Sequence, residues 1–210
     1  MSFFSFGKSE PAGPADKVWK TRKACLKGMV MQSLLALKNS QLPVVVTFFE
    51  ESHLELLEFL KSSGVPYAVI NSLSASEILQ LKGTVCILDE FSSSNSGINI
   101  PKEVRANIFF LGHYPFVAAE NKIVQSLQVI QPDAKLTFCL SLDDALFDQS
   151  GTGNLAPLLE NIGLTDDECI EHAMVTKVIH RTLEKLNKKM VSEIKARSQR
   201  EWFARNVKSN

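Results

Sequence analysis

Leu26, Met29, Val30, Leu34 and Leu37 fall at helical spacing. Apolar side chains three or four residues apart stack along one face of an α-helix, so an amphipathic helix is expected over residues 20–39. After Pro43 the pattern changes to an unbroken apolar run, Val44-Val-Val-Thr-Phe-Phe49. It is short and rich in β-branched residues, which fits a strand buried on both faces better than a helix. Helical spacing returns over residues 50–62 through Leu54, Leu57 and Lys61, with Leu56 and Leu60 beside them, and Gly64 follows as a C-terminal stop. Val65-Pro-Tyr-Ala-Val-Ile70 reads as the next strand, residues 74–81 as a short helix, and residues 84–89 as another strand. The Ser/Asn/Gly tract at 92–97 is a loop by composition. A strand at 107–112, a helix at 116–128 and a strand at 134–141 complete the alternation. Such alternation predicts an α/β fold, a parallel sheet with helices on both faces joined by right-handed crossovers.

Beyond Leu142 the pattern is helical only. Two shorter helices are expected before Gly163 and a long one from near Asp166, with Ile179, Leu183, Leu186, Met190 and Ile194 as its core stripe. By pattern the chain divides into a flexible tail at 1–15, an α/β body at 16–142 and a helical extension at 143–210 that leaves the body.

Composition adds three constraints. A chain of 210 residues has room for one substantial core. Cys25, Cys86, Cys139 and Cys169 are scattered without a C-x-x-C pair, which suits a reducing, cytoplasmic compartment. The opening stretch MSFFSFGKSEPAGPAD lacks the basic start and long apolar run of a secretory signal, and no run reaches the length of a membrane span. Charge is uneven although it sums to zero: residues 171–208 hold ten Lys or Arg against four Glu, so this end carries +6 and the rest −6. Lys185, Lys189, Arg197, Arg200, Trp202 and Phe203 are the candidate residues for a protein partner. The Trp-Phe pair is also open to docking on the body, the favoured reading because exposed aromatic pairs are costly in a monomer. Nucleic acid is not expected, because no aromatic residue interleaves the basic ones before Trp202.

The sequence raises three chemistries. Thr84-Val-Cys-Ile-Leu-Asp-Glu-Phe91 has the form of a Walker B strand, but the chain holds no G-x-x-x-x-G-K-[ST] segment to cradle phosphates. Asp89-Glu90 is therefore expected to be the polar end of a strand. Cys169, His172 and His180 invite a metal, yet His172 and His180 stand two helical turns apart, about 12 Å, too far for one ion. No G-x-S-x-G elbow accompanies the serines, and His113 in Gly112-His-Tyr-Pro115 reads as a satisfied polar cap at a strand end. No catalytic residue, cofactor ligand or metal ligand is assigned.

Two segments carry a family likeness. Leu140-Ser-Leu-Asp-Asp144, followed by Leu164-Thr-Asp-Asp-Glu-Cys-Ile-Glu-His-Ala-Met-Val-Thr-Lys177, resembles the preprotein translocase ATPase SecA. There, L-S-L-E-D-D and L-G-M-x-x-D-E-x-I-E-H-x-M-V-T-[RK] mark the exit from the second motor domain into the helical scaffold. The motif positions matched are Asp143, Asp144, Asp167, Glu168, Glu171, His172, Met174, Thr176 and Lys177. Trp19-Lys-Thr21, Pro43-Val-Val-Val46, Glu55-Leu-Leu57 with Gly64-Val-Pro66, and Ile108-Phe-Phe-Leu-Gly112 are similar to further family segments. The resemblance covers residues 16–190 and implies a RecA-like domain of the helicase C-terminal kind, followed by the start of the scaffold helix.

The family's second motor domain supplies arginines through an R-G-x-D loop and a Q-L-R-G-R-S-G-R-Q-G segment. Here the first is replaced by Asp89-Glu-Phe-Ser-Ser-Ser-Asn-Ser-Gly97, and the arginine positions of the second fall on Val124, Ser126 and Val129. Neither Val nor Ser can neutralise charge on a transferring phosphoryl group. The resemblance therefore implies a non-catalytic relative without a cofactor, acting through proteins of the translocation machinery or its substrates. The alternative is an ATPase subunit that binds ATP only where a partner supplies the phosphate loop, with Lys122 or Lys102 as the cation.

Overall fold

The computed structural model describes residues 14–91, 99–149, 165, 167–188, 190 and 192–207. Residues 1–13 of the tail expected at 1–15, the loop expected at 92–97, most of the segment before Gly163, and Lys189 lie outside the described residues.

The strands are β1 (Ala15–Trp19), β2 (Leu42–Thr47), β3 (Tyr67–Val69), β4 (Val85–Asp89), β5 (Ala106–Leu111), β6 (Lys135–Ser141) and β7 (Cys169–Ile170). They form one sheet in the order β3-β4-β2-β5-β6-β1-β7. The first six run parallel, and β7 pairs antiparallel with β1 through Val18–Ile170 and Trp19–Cys169. The sheet is thus mostly rather than wholly parallel. The helices are α1 (Arg22–Lys38), α2 (Glu50–Ser62), α3 (Ala75–Leu79), α4 (Val117–Ile130), α5 (Ala173–Asn187) and α6 (Gln199–Asn206), with a 3₁₀ turn at Ala145–Asp148.

Strand alternation divides the core in two. Val44, Val46, Ile108, Phe110, Phe138 and Leu140 face one side, where α4, α5 and α6 pack. Val45, Ile87, Phe109, Leu111 and Cys139 face the other, under α1 and α2. Both sides being covered explains why the central strands read as continuous apolar runs. Gly28 of α1 sits directly against the Trp19 indole, where a Cβ would meet ring atoms at 2.6 Å, so α1 is held close to the sheet at this point. Gly64 has φ +65° and ends α2 as expected.

Two expectations change. Ala15–Trp19, which straddles the expected boundary at 15/16 and carries no expected element, is a strand, because Asp16, Val18 and Trp19 are all buried beside β6. The extension does not leave the body. Ile179, Leu183 and Leu186 of the expected stripe are buried, but the helix ends at Asn187. The Asn187 amide there donates to the carbonyls of Pro115 and Leu183 (both 2.7 Å) and accepts from Val117 N (3.0 Å), which ties the end of α5 to the start of α4. Ile194, the last stripe position, is 54% exposed. The chain then crosses the sheet's carboxyl edge and buries Trp202 and Phe203 in the core.

Candidate functional site

In an open parallel sheet, ligands are taken at the carboxyl ends of the strands, where loops and helix N-termini converge. In this chain that edge comprises Thr21–Arg22 after β1, Phe48–Glu50 after β2, Asp89–Glu90 after β4, Gly112–His113 after β5 and Asp143–Asp144 after β6. A cleft of about 380 Å³ opens there. Its charged lining is four carboxylates, Glu51, Glu55, Asp143 and Asp144, against two guanidinium groups, Arg22 and Arg200. The cleft is therefore electronegative.

Arg22 is already engaged, 2.7 Å from Glu55 and 3.5 Å from Asp144. Burial opposes its charge, but the two carboxylates outweigh it and raise its pKa. Asp144 accepts from Ser141 N (3.1 Å) and Ser141 Oγ (2.9 Å). Its own pKa is nevertheless raised, because burial outweighs the attraction of Arg22.

The N-terminus of a helix is a ready-made anion site, since its first N–H groups lack intrahelical partners. At this edge one such group of each of three helices is bonded to an oxygen of the chain itself. Arg22 N of α1 donates to Asp143 Oδ2 (2.7 Å), Glu51 N of α2 to the Arg197 carbonyl (3.0 Å), and Val117 N of α4 to Asn187 Oδ1 (3.0 Å).

Residues 192–207 form a strap across this edge. Arg197 pairs with Glu50 at the start of α2 through two nitrogens, one of them at 2.8 Å. Gln199 donates to the His113 carbonyl (3.0 Å) and accepts from Leu146 N (3.0 Å). Ser198 caps α6 through Glu201 N (3.1 Å).

Asp89 is buried and closes its strand: Oδ1 accepts from Phe91 N (3.0 Å), while the Asn71 amide bridges its backbone N and O. Glu90 has a raised pKa, chiefly from burial and secondly from Asp89, with Lys195 opposing. Lys102 and Arg105 lie at the opposite edge, in the segment before β5, where the Arg105 carbonyl accepts from Leu42 N at the start of β2 (2.9 Å). Of the positions aligned with family arginines, Val124 is buried in the core and Val129 is exposed in the last turn of α4.

Of the candidate partner residues, Lys185, Arg197 and Arg200 are exposed, whereas Trp202 and Phe203 are buried and present no surface. The structure thus takes the docked alternative for the aromatic pair. The family-motif positions serve mainly to anchor α5. His172 is its N-cap, accepting from Met174 N (3.2 Å), and Glu168 accepts from Thr165 N (3.1 Å). Glu171 pairs with Lys17 (3.5 Å) and Asp167 with Lys27 (2.8 Å). Met174 and Lys177 are exposed, and Thr176 faces Asp16.

Sequence reading missed a buried cluster of Asp16, His113 and Glu120. His113 stands 3.0 Å from Asp16 through Nε2 and 3.0 Å from both Glu120 oxygens through Nδ1. Burial disfavours its charge, but Glu120 and then Asp16 raise its pKa to about 10. The alternation of Asp16 with Val18 was the available signal, since it sets Asp16 on an inward face.

The mostly parallel sheet, helices on both faces and crossover order are consistent with the RecA-like class of α/β domain. The chain is SecA-like over about four fifths of its length. It is 28% identical over 185 residues to the protein translocase subunit SecA of Clostridium kluyveri, a match covering 81% of this chain and 22% of that protein. Against SecA of Halothermothrix orenii it is 27% identical over 185 residues, covering 81% and 21%. Against that of Campylobacter concisus it is 26% identical over 182 residues, also covering 81% and 21%. The chain spans about a fifth of the length of these curated relatives. No protein-family model matches it.

Proposed function

We propose that this SecA-like chain acts by binding protein, in or near protein export, and does not hydrolyse nucleotide. The observation that carries this reading is the carboxyl edge. At three helix N-termini there one N–H is taken up by Asp143, the Arg197 carbonyl or Asn187, and the adjoining cleft is electronegative. A triphosphate would have to displace these oxygens and overcome like charge, with Arg22 already paired to Glu55 and Asp144 and Arg200 to Asp148. Val124, Ser126 and Val129 at the arginine positions support the same reading. The exposed Lys185 and Arg200 are the basic residues through which the chain would meet an acidic protein face, Arg200 from the rim of the cleft beside Asp148.

Two measurements test this. Fluorescent ATP analogues should give no saturable polarisation change with the purified chain, and ATP turnover should stay at background. Turnover that disappears in Asp89→Asn would overturn the reading. Capture of translocation components by the immobilised chain should weaken in a Lys185→Glu, Arg200→Glu double variant. If the added chain instead accelerates ATP turnover by a separate motor domain, the trans-acting ATPase reading replaces this one.

A further inference from the structure

Three parts of the chain, β1, the turn after β5 and the outer face of α5, bring Asp16, His113 and His180 together. One ligand-capable atom from each lies within 4.8 Å of the others. His113 Nε2 is 3.0 Å from Asp16 Oδ1, and His180 Nε2 is 3.8 Å from Asp16 Oδ2. The Thr176 hydroxyl, one turn before His180, faces the same carboxylate, yet Oδ2 is buried without a hydrogen-bond partner. Buried carboxylate oxygens are rarely left so, because their lost hydration goes uncompensated.

We propose that Asp16, His113 and His180 form a binding site for one divalent transition-metal ion of the zinc type, with Glu120 as the positioning carboxylate. The donor set is two imidazoles and one carboxylate, the chemistry zinc accepts with a further position left to water. Two donors each about 2.0–2.1 Å from a tetrahedral ion stand about 3.3 Å apart. The observed separations, 3.0 Å from His113 to Oδ1 and 3.8 Å from His180 to Oδ2, lie on either side of that value, and with all three ligand atoms within 4.8 Å of one another the site closes on one ion when the His180 imidazole moves inward. His180 has room to rotate: its side chain is 49% exposed, while Asp16 and His113 are buried and fixed.

Glu120 completes the arrangement. Both its oxygens meet His113 Nδ1, which holds that nitrogen as the donor and leaves Nε2 for the ion. Its Oε2 also accepts from Tyr114 N (2.7 Å), so the carboxylate is itself held in place. On binding, the ion replaces the proton that His113 Nε2 shares with Asp16, and that proton passes to solvent. The exposed His180 edge is the entry path. The site joins β1 to α5, independently of the cleft beside Arg22.

The test uses the full chain stripped of metal. Zinc titrated by calorimetry should bind one to one, and cobalt(II) should give the intense visible bands of a tetrahedral nitrogen–oxygen site. His180→Ala, at a half-exposed position, should weaken binding at least tenfold with the circular dichroism spectrum unchanged. Glu120→Gln should weaken it about ten- to a hundredfold. Cys169→Ser and His172→Ala should leave it unaltered. Absence of saturable binding by the wild-type chain, undiminished affinity in His180→Ala, or loss of binding in Cys169→Ser would each overturn the assignment.

Discussion

The Trp202 indole N–H donates to Glu193 Oε1 at 2.7 Å, and the Tyr114 hydroxyl donates to the same oxygen. One carboxylate near the start of the strap thus holds the strap's own helix α6 on one side and the turn after β5 on the other. Tyr114 also stacks at a tilt on Phe48 and Phe49, with centroids 5.5 and 5.4 Å away, which carries the contact into the core.

The strap should therefore be held by burial rather than by its charges. Trp202 is fully buried, so Trp202→Ala should cost about 3–5 kcal/mol. The Arg197–Glu50 pair is exposed on its arginine side and screened by water, so Arg197→Ala should leave the melting temperature nearly unchanged. Urea melts of the two variants check this. Hydrogen exchange should show deprotection of residues 192–207 in Trp202→Ala and little change in Arg197→Ala.

Gly28 tests how closely α1 lies on the sheet. In an open helix, Gly→Ala stabilises by roughly 0.5–1 kcal/mol. Here the added methyl would meet the Trp19 ring at 2.6 Å, and Trp19 is 2% exposed with nowhere to move. Gly28→Ala should instead destabilise by about 1–3 kcal/mol, the usual cost of overpacking. An unchanged or raised melting temperature would show that the indole can shift.

The central strands were legible because burial on both faces writes itself as apolar runs: Val44–Val46 and Ile108–Leu111 could be read directly. β1 was not, because Asp16 and Lys17 interrupt it, and only the approach of His113, 97 residues away, makes a buried Asp16 tolerable. The end of α5 was hidden for a similar reason. The stripe continues in sequence to Ile194, but Asn187 stops the helix by bonding Pro115 and Val117, more than sixty residues distant. The cleft's charge was half visible. Asp143 and Asp144 were found as motif positions, whereas Glu51, Glu55 and Arg22 join them only through the fold.

Glu90 gives a pH dependence of known sign. Its folded pKa is raised above 4.5 by burial and by Asp89, so the native state holds its proton more tightly than the unfolded chain. Its contribution favours folding in full below pH 4.5 and is lost as pH rises through the raised value. Glu90→Gln keeps the shape without the charge. It should raise the melting temperature at neutral pH, do so least below pH 4.5, and flatten the slope between them. Melting curves across that range decide it: a variant less stable than wild type at pH 7 would mean that attraction to Lys195 outweighs burial.

Asp144 separates hydrogen bonding from charge at the cleft floor. Its carboxylate holds Ser141 N and Ser141 Oγ, and burial raises its pKa despite Arg22 at 3.5 Å. Asp144→Asn can still accept from Ser141 N and donate to Ser141 Oγ, and Arg22 retains Glu55 at 2.7 Å. Its cost should stay below about 1 kcal/mol, the net worth of a typical hydrogen bond. Asp144→Ala leaves Ser141 N buried and unpaired, which should cost about 1–3 kcal/mol. Equilibrium urea unfolding of the pair distinguishes the two contributions. Equal destabilisation by Asn and Ala would mean that the ion pair with Arg22, not the turn at Ser141, is what this family-motif aspartate provides.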